Sequence, residues 1–375
     1  MRTELGLKLD GDAIRSNTGI SIADGLNADP WVAASLLQKA IRRGRADLAR
    51  SAAECLWRHR GSRAWLRLVV TAVEDVGISS VDAVAETVRM ARAMTRASAR
   101  RPVEDPVRAI CDMARVLADA PKDRSTDYLI SIAVHDASLD WFRRECLHLP
   151  VSERIAAALA DDLPANLRAV AAWTACGLGS TETTRLDRGD RPGFLAACAA
   201  AGVPSDLVAA SVDATTMSRE PICVLLPIVW LLWSSEGSRA APIELPVPDS
   251  PSVDGIPLWS LDKHTRSGKA ALARLVSENA TVREVAVRIA GRRGAIAAVE
   301  MAAYYLDAAP VSRRLDWPLS LSLEAEGRRV DMAKVGVSWD GVDPLMAVMA
   351  ANRPHLDRLR AEMLRKMRTS EGVDQ

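Results

Sequence analysis

Apolar residues recur at spacings of three and four along most of the chain, the period of an α-helix that turns one face toward a core. The pattern is sharpest from Ala34 to Gly77. Leu36, Leu37, Ala40 and Ile41 mark a first helix and Leu48, Ala52, Cys55 and Leu56 a second. Trp65, Leu66, Val69, Val70 and Val73 mark a third. Turns are expected near Arg43–Arg45 and Arg60–Ser62. Asp29-Pro30 supplies an N-cap and a first-turn proline for the first helix. Gly77 stops the third, because glycine takes a left-handed C-cap at the least cost.

Downstream, Ser79 or Ser80 is placed to cap a long helix to about Arg100. Asp105-Pro106 opens another through Ala118, and Ser125 or Thr126 caps the next. From Val151 to about Ala240 the pattern stays helical, interrupted by a polar loop at Gly177–Gly193. Residues 241–257 carry Pro242, Pro246, Pro248, Pro251 and Pro257, a density that forbids a helix and predicts an extended linker or a strap across the surface. Helical patterns resume at Lys263–Ser277, Thr281–Ala290, Arg293–Ala308, Trp317–Glu326 and Asp343–Met367. The expected fold is all-α, a multi-helix array in two or three packed units. Its expected divisions are an N-terminal arm (1–28), helical domains at 29–150 and 151–240, the proline-rich connector (241–257), a C-terminal helical domain (258–369) and a disordered tail (370–375).

Composition supports this reading. Hydrophobic residues make up 49% of the 375 positions and charged residues 26%, the balance of a globular protein. Phenylalanine and tyrosine are scarce, so the core must be built from Ala, Leu, Val and Ile, which favours close helix packing. The formal charge of +1 excludes a global basic field for nucleic acid. Six dispersed cysteines without a CxxC pair suit buried, reduced thiols rather than a zinc site or disulfide framework. The N-terminal residues lack the apolar core of a signal peptide. The longest apolar run, Ile222–Trp233, contains Pro227 and is too short to span a bilayer. A cytoplasmic protein with no membrane partner is the expectation.

Three pieces in order carry a family likeness: LLQKAIRRG (Leu36–Gly44), AVEDVG (Ala72–Gly77) and AICDMARVLADAPKDRSTDYLISIA (Ala109–Ala133). Over roughly residues 31–137 the chain resembles the C-terminal helical region of the RarA/MgsA branch of clamp-loader-like AAA+ ATPases. In that family this region follows an ATPase domain and helps hold a homo-oligomer together. The resemblance implies a helical scaffold that self-associates, or docks on a separately encoded ATPase, in a DNA transaction such as replication, repair or mobile-element maintenance. It does not carry over ATP hydrolysis. The residues before Ala34 are too few for the motor. The segment His264–Ala270 has no glycine five residues before Gly268 and no Ser/Thr after Lys269, so it is not a phosphate-cradling P-loop.

Candidate chemistry is confined to three groups. Arg42, Arg43 and Arg45, with Arg89, Arg92, Arg96 and Arg100 spaced three, four and four apart, form a basic strip that could track the phosphates of DNA independently of sequence. Glu74 and Asp75 point to different sides of a helix, so they are read with Gly77 as a structural device, an ion pair holding the turn, with Glu74 toward the arginines and Asp75 near the helix end. Asp262–Lys269 (DKHTRSGK) is the densest polar cluster. Lys263, His264, Arg266 and Lys269 could grip a phosphate ligand, or Asp262 could simply cap a helix there. That cluster centres the alternative reading, an enzyme or phosphate-binding protein. The other histidines do not assemble into metal spacing and there is no nucleophile elbow, so no metal, catalytic residue or cofactor is expected.

Overall fold

The first helix, α1 (Pro30–Arg42), begins at Asp29, whose carboxylate accepts the N–H groups of Trp31 (2.8 Å) and Val32 (3.1 Å). The computed structural model describes residues 25–95, 104–178, 189–235 and 241–371, with side chains through residue 366 in the last helix. Most of the N-terminal arm, Thr181–Arg185 of the polar loop, Arg96, Arg100 and the end of the tail lie outside the described residues.

After α1 come α2 (Ala46–Arg60), α3 (Ala64–Thr71), α4 (Val81–Thr95), α5 (Pro106–Asp119), α6 (Ser125–His135), α7 (Asp140–His148), α8 (Val151–Leu159) and α9 (Ala165–Ala175). These are followed by α10 (Arg191–Ala200), α11 (Ser205–Ser218) and α12 (Leu226–Ser235). The C-terminal part holds α13 (Arg266–Glu278), α14 (Ala280–Ala303), α15 (Pro318–Lys334), α16 (Trp339–Ala351) and α17 (Arg353–Glu371). α14 bends at Gly291, where φ is +71°, which is why the sequence pattern reads as two helices there. The pattern from Asp343 onward reads as one helix but is two, broken at Asn352. The fold is all-α, as expected.

The proline-rich stretch is a strap. Its first strand, β1 (Ala241–Glu244), pairs antiparallel with β4 (Arg313–Asp316). A two-residue hairpin joins β2 (Ser252–Val253) to β3 (Ile256–Pro257) through Asp254-Gly255, both at positive φ, the turn chemistry that suits a tight hairpin.

The boundaries expected from composition do not separate the hydrophobic cores. One core gathers side chains from Leu26 through Leu261 and then takes in Leu315, Trp317, Leu323 and Val330 from the C-terminal part, with Ala361 and Leu364. A second core is built from residues 271–309 and 332–359. α15 crosses back onto α6, and Gly327 permits that approach: a Cβ there would lie 2.8 Å from Tyr128 Cβ.

α1 sits where the two cores meet, and this explains its sequence. Its apolar residues Leu36, Leu37, Ala40 and Ile41 are fully buried, but so are Lys39 (3% exposed) and Arg42 (2%) on the polar side. An amphipathic pattern predicts a solvated polar face. Here residues 260–262 cover Lys39 and the turn at Tyr304–Ala308 covers Arg42, so the charges meet partners rather than water.

The junction after α3 is tight. α3 loosens into a π-turn at Ala72–Val76, and Gly77 then takes φ +53°, ψ −137°. This conformation is not the left-handed C-cap expected from sequence. A Cβ on Gly77 would lie 2.6 Å from the carbonyl oxygen of Asp123, and the N–H of Asp123 in turn bonds to the carbonyl of Asp75 (3.0 Å). Ser79 does not cap α4: its hydroxyl donates to the carbonyls of Val76 and Pro121, both at 2.6 Å. Likewise α6 is led in by Asp123, which accepts the N–H of Ser125 (3.1 Å), rather than by Ser125 or Thr126.

Asp123 is 1% exposed and also accepts a hydrogen bond from Trp317 Nε1 (2.7 Å). Burial pushes its carboxyl from 3.8 up to about 6, against the hydrogen bonds from Trp317 and Ser125. The folded state therefore holds this proton more tightly than the unfolded chain. The stability it contributes is fully present below about pH 4 and is lost as pH rises through about 6. Urea denaturation should show a smaller fall in stability from about pH 4 to about pH 7 in Asp123→Asn than in the parent, by on the order of 2 kcal/mol. Equal falls in the two proteins would refute this assignment.

Candidate functional site

Two buried aspartates, each in a π-turn, organise the polar interior. Asp75 lies in the turn Ala72–Val76 and Asp307 in the turn Tyr304–Ala308, and each is 0% exposed. A π-turn inserts one residue into a helix and swings the following side chains around the axis. In both places that swing places a carboxylate among arginines.

Asp75 Oδ1 meets Arg42 Nε at 2.5 Å and Arg124 Nε at 3.1 Å, and its Oδ2 accepts from Gln38 Nε2 at 3.0 Å. Arg42 also reaches Glu74 Oε1 (2.7 Å) and the carbonyl of Ala308 (3.1 Å). Arg124 donates to the hydroxyl of Tyr304 (2.6 Å) and pairs with Asp127. Burial pushes the Tyr304 phenol up to about 12, against Arg124 and Arg42, so it stays protonated. Asp307 Oδ2 meets Arg360 at 2.7 Å and its Oδ1 meets Arg353 at 3.2 Å, while its carbonyl accepts from Arg43 (2.6 Å). Arg43 continues to the carbonyl of Pro248 (2.7 Å) and stacks over Trp259 at 4.8 Å. The consecutive residues Arg42 and Arg43 thus tie one helix to both π-turns and to the strap.

These positions correct several sequence expectations. Arg42 and Arg43 are interior ligands of carboxylates and carbonyls, not a basic surface. Arg45 is exposed. Arg89 is exposed but forms a double contact with Glu86 at 2.6 and 2.5 Å. Arg92 pairs with Asp213 on α11, a partner 121 residues away that no local pattern could show. Glu74 does face Arg42, but Asp75, not Glu74, is the fully enclosed carboxylate at the centre of the arginines.

The Asp262–Lys269 cluster is divided. Asp262 is 1% exposed and forms an ion pair with Lys39 at 2.8 Å. Thr265, not Asp262, caps α13, accepting the N–H of Gly268 at 3.1 Å. Lys39 also bonds to Ser35 Oγ (2.5 Å) and the carbonyl of Ser260 (3.2 Å), so its three N–H groups are all placed. Burial pulls the Lys39 ammonium down to about 8 against the attraction of Asp262. Burial works the other way on Asp262, but Lys39 and the N–H of His264 hold its carboxyl at about 2. Both groups are therefore charged at neutral pH. Arg266 and Lys269 are exposed and splay away, while Lys263 and His264 join Asp262 on the wall of a cleft.

That cleft encloses about 620 Å³ and lies between the two cores. α1 forms its floor. Arg60, Arg63 and Arg67 from the α2–α3 corner line one side, and Lys263 with Tyr304 lines another. Sequence reasoning missed Arg60, Arg63 and Arg67 as cleft residues; their only signal was an excess of arginine around the α2–α3 turn. No group of three or more His, Cys, Asp or Glu among the described residues is arranged to hold a metal ion. All six cysteines are buried and unpaired. No helix among the described residues is long and apolar enough to cross a membrane.

The chain matches no family model, no curated protein and no solved structure.

Proposed function

We propose that this protein is a non-catalytic helical scaffold that acts by assembling with other macromolecules. The observation that carries this reading is the buried charge network that fastens the two cores through α1. Arg42, Arg43, Arg124, Arg360 and Lys39, all buried, are engaged by Asp75, Asp307, Asp262 and backbone carbonyls. Groups held this way fix a shape rather than perform a reaction. Truncating one partner of such a buried pair is strongly destabilising, which keeps the arrangement in place.

Large apolar groups on the outside favour assembly. Trp141 and Trp339 are exposed by 57% and 62%, and tryptophan is enriched among the residues that carry binding energy at protein interfaces. The resemblance of residues 31–137 to RarA/MgsA-type proteins supplies the class of process: self-association, or docking on a separate ATPase, in a DNA transaction. Any DNA contact would run through exposed residues such as Arg45 and would weaken with salt on every sequence alike.

Light scattering on the purified chain, with DNA titrations at low ionic strength, tests the proposal. A self-associated species is expected whose mass falls toward the monomer in the Trp141→Ala, Trp339→Ala double variant. A strict monomer that also fails to bind DNA would remove the reading.

A further inference from the structure

Charge in the central cleft is unevenly committed. Each carboxylate on its walls already has partners: Glu74 has Arg42, Asp127 has Arg124, and Asp262 has Lys39. Asp331 accepts from Tyr305 (2.8 Å) and Ser131 (2.5 Å) and lies 3.6 Å from Lys334. The cations are different. Among the described residues Arg60, Arg63, Arg67 and Lys263 have no carboxylate within 4.0 Å. Arg67 gives one N–H to Gln38, but its Nε is buried with no hydrogen-bond partner. Lys263 rests its ammonium on the ring of Tyr304 (4.7 Å) and the sulfur of Met301 (3.4 Å), neither of which balances a charge. Burial pulls the Lys263 ammonium below its ordinary range, against the attraction of Asp331 and Asp262.

The cleft also offers a flat apolar surface. Trp31, 56% exposed, lies on its wall with the guanidinium of Arg60 at 5.3 Å from the ring centroid. An indole beside a guanidinium is a platform on which a planar group can stack. The volume, about 620 Å³, falls within the roughly 300–1,000 Å³ typical of small-molecule sites.

From these observations we infer that the cleft between the two cores binds a nucleoside monophosphate, its phosphate met by Lys263, Arg63 and Arg67 and its base stacked at Trp31. The phosphate supplies the negative charge that the walls lack. The base uses the exposed indole on the cleft wall. Arg266 and Lys269, which the sequence placed with Lys263, take no part because they do not line the cleft.

Calorimetric titration of the full-length chain at low ionic strength, with AMP, adenosine and ribose 5-phosphate as probes, decides the matter. AMP should bind, and more tightly than either fragment. Lys263→Gln and Arg63→Gln should each weaken AMP by about tenfold or more, the scale of a lost charge-assisted contact. Trp31→Ala should weaken AMP while leaving ribose 5-phosphate unchanged, and Arg266→Gln should leave AMP unchanged. Thermal melts establish that each variant is folded. If a variant is not, displacement of AMP from the parent protein by pyrophosphate, which carries the phosphate chemistry alone, is the second expected result. Absence of AMP binding at millimolar concentration overturns the proposal. So do AMP affinities untouched in folded Lys263→Gln and Arg63→Gln, failure of pyrophosphate to compete, or adenosine or ribose 5-phosphate binding as well as AMP.

Discussion

Replacing Asp75 by alanine should destabilise the protein by about 3–5 kcal/mol, the usual cost of removing one partner from a buried ion pair. The side chain is 0% exposed and gives its oxygens to Arg42, Arg124 and Gln38. Without it, two guanidiniums remain inside the protein with one carboxylate fewer between them. Glu74 is no substitute, because its Oε1 already meets Arg42 at 2.7 Å from the other side. Asp75→Asn should cost less than Asp75→Ala, since an amide oxygen still accepts one of these bonds. Urea denaturation at neutral pH measures both. A change below about 1 kcal/mol for the alanine variant, within the range of exposed pairs, would mean that the cluster does not hold the cores together.

The second large effect concerns Gly77, and the chain contains its own control. Gly77 and Gly61 share nearly the same backbone: φ +53°, ψ −137° at the first and φ +54°, ψ −139° at the second. Both angles lie in a region that side chains avoid, at a cost of about 1–3 kcal/mol. Around Gly61 nothing lies within 4 Å of an added Cβ, whereas at Gly77 the carbonyl of Asp123 would lie 2.6 Å away. Gly61→Ala should therefore report conformational strain alone. Gly77→Ala should report that strain plus a backbone clash, and exceed it by about 2 kcal/mol or more, toward the upper range for single substitutions. Comparable melting curves for the two variants would show that the 72–77 turn can shift away from residue 123 and that the junction is softer than its packing indicates.

Local patterns proved reliable where local forces decide. The Asp29-Pro30 start of α1 and the Asp105-Pro106 start of α5 were legible because an acidic cap and a first-turn proline act within three residues. The burial of the cysteines was legible because they sit on apolar helical faces. The polar side of α1 was not, since nothing near Lys39 or Arg42 announces that a segment more than 200 residues away covers it. For the same reason the arginine strip looked open: the partner of Arg92 is on α11. One missed element did carry a signal. Asp254-Gly255 between Val253 and Ile256 is a hairpin dipeptide in a stretch read only for its prolines. In the candidate site, Lys263 and His264 were legible as members of the densest polar cluster, Asp262–Lys269. Arg60, Arg63 and Arg67 were not, because their common cleft exists only after the second core docks.

The return of α15 onto α6 bears on how the chain is made. A polypeptide emerges from its amino end, at about 5–20 residues per second. When residue 261 has been added, the first core holds most of its helices but still lacks Leu315, Trp317, Leu323 and Val330. On the order of ten seconds of further elongation separates that point from the arrival of α15. Through that interval the groove on α6, the buried carboxyl of Asp123 and the future contact of Tyr128 with Gly327 face solvent or a chaperone. The amino-terminal helices must therefore wait, partly formed, for a strand and a helix made much later, with Ala361 and Leu364 of α17 joining the same core later still.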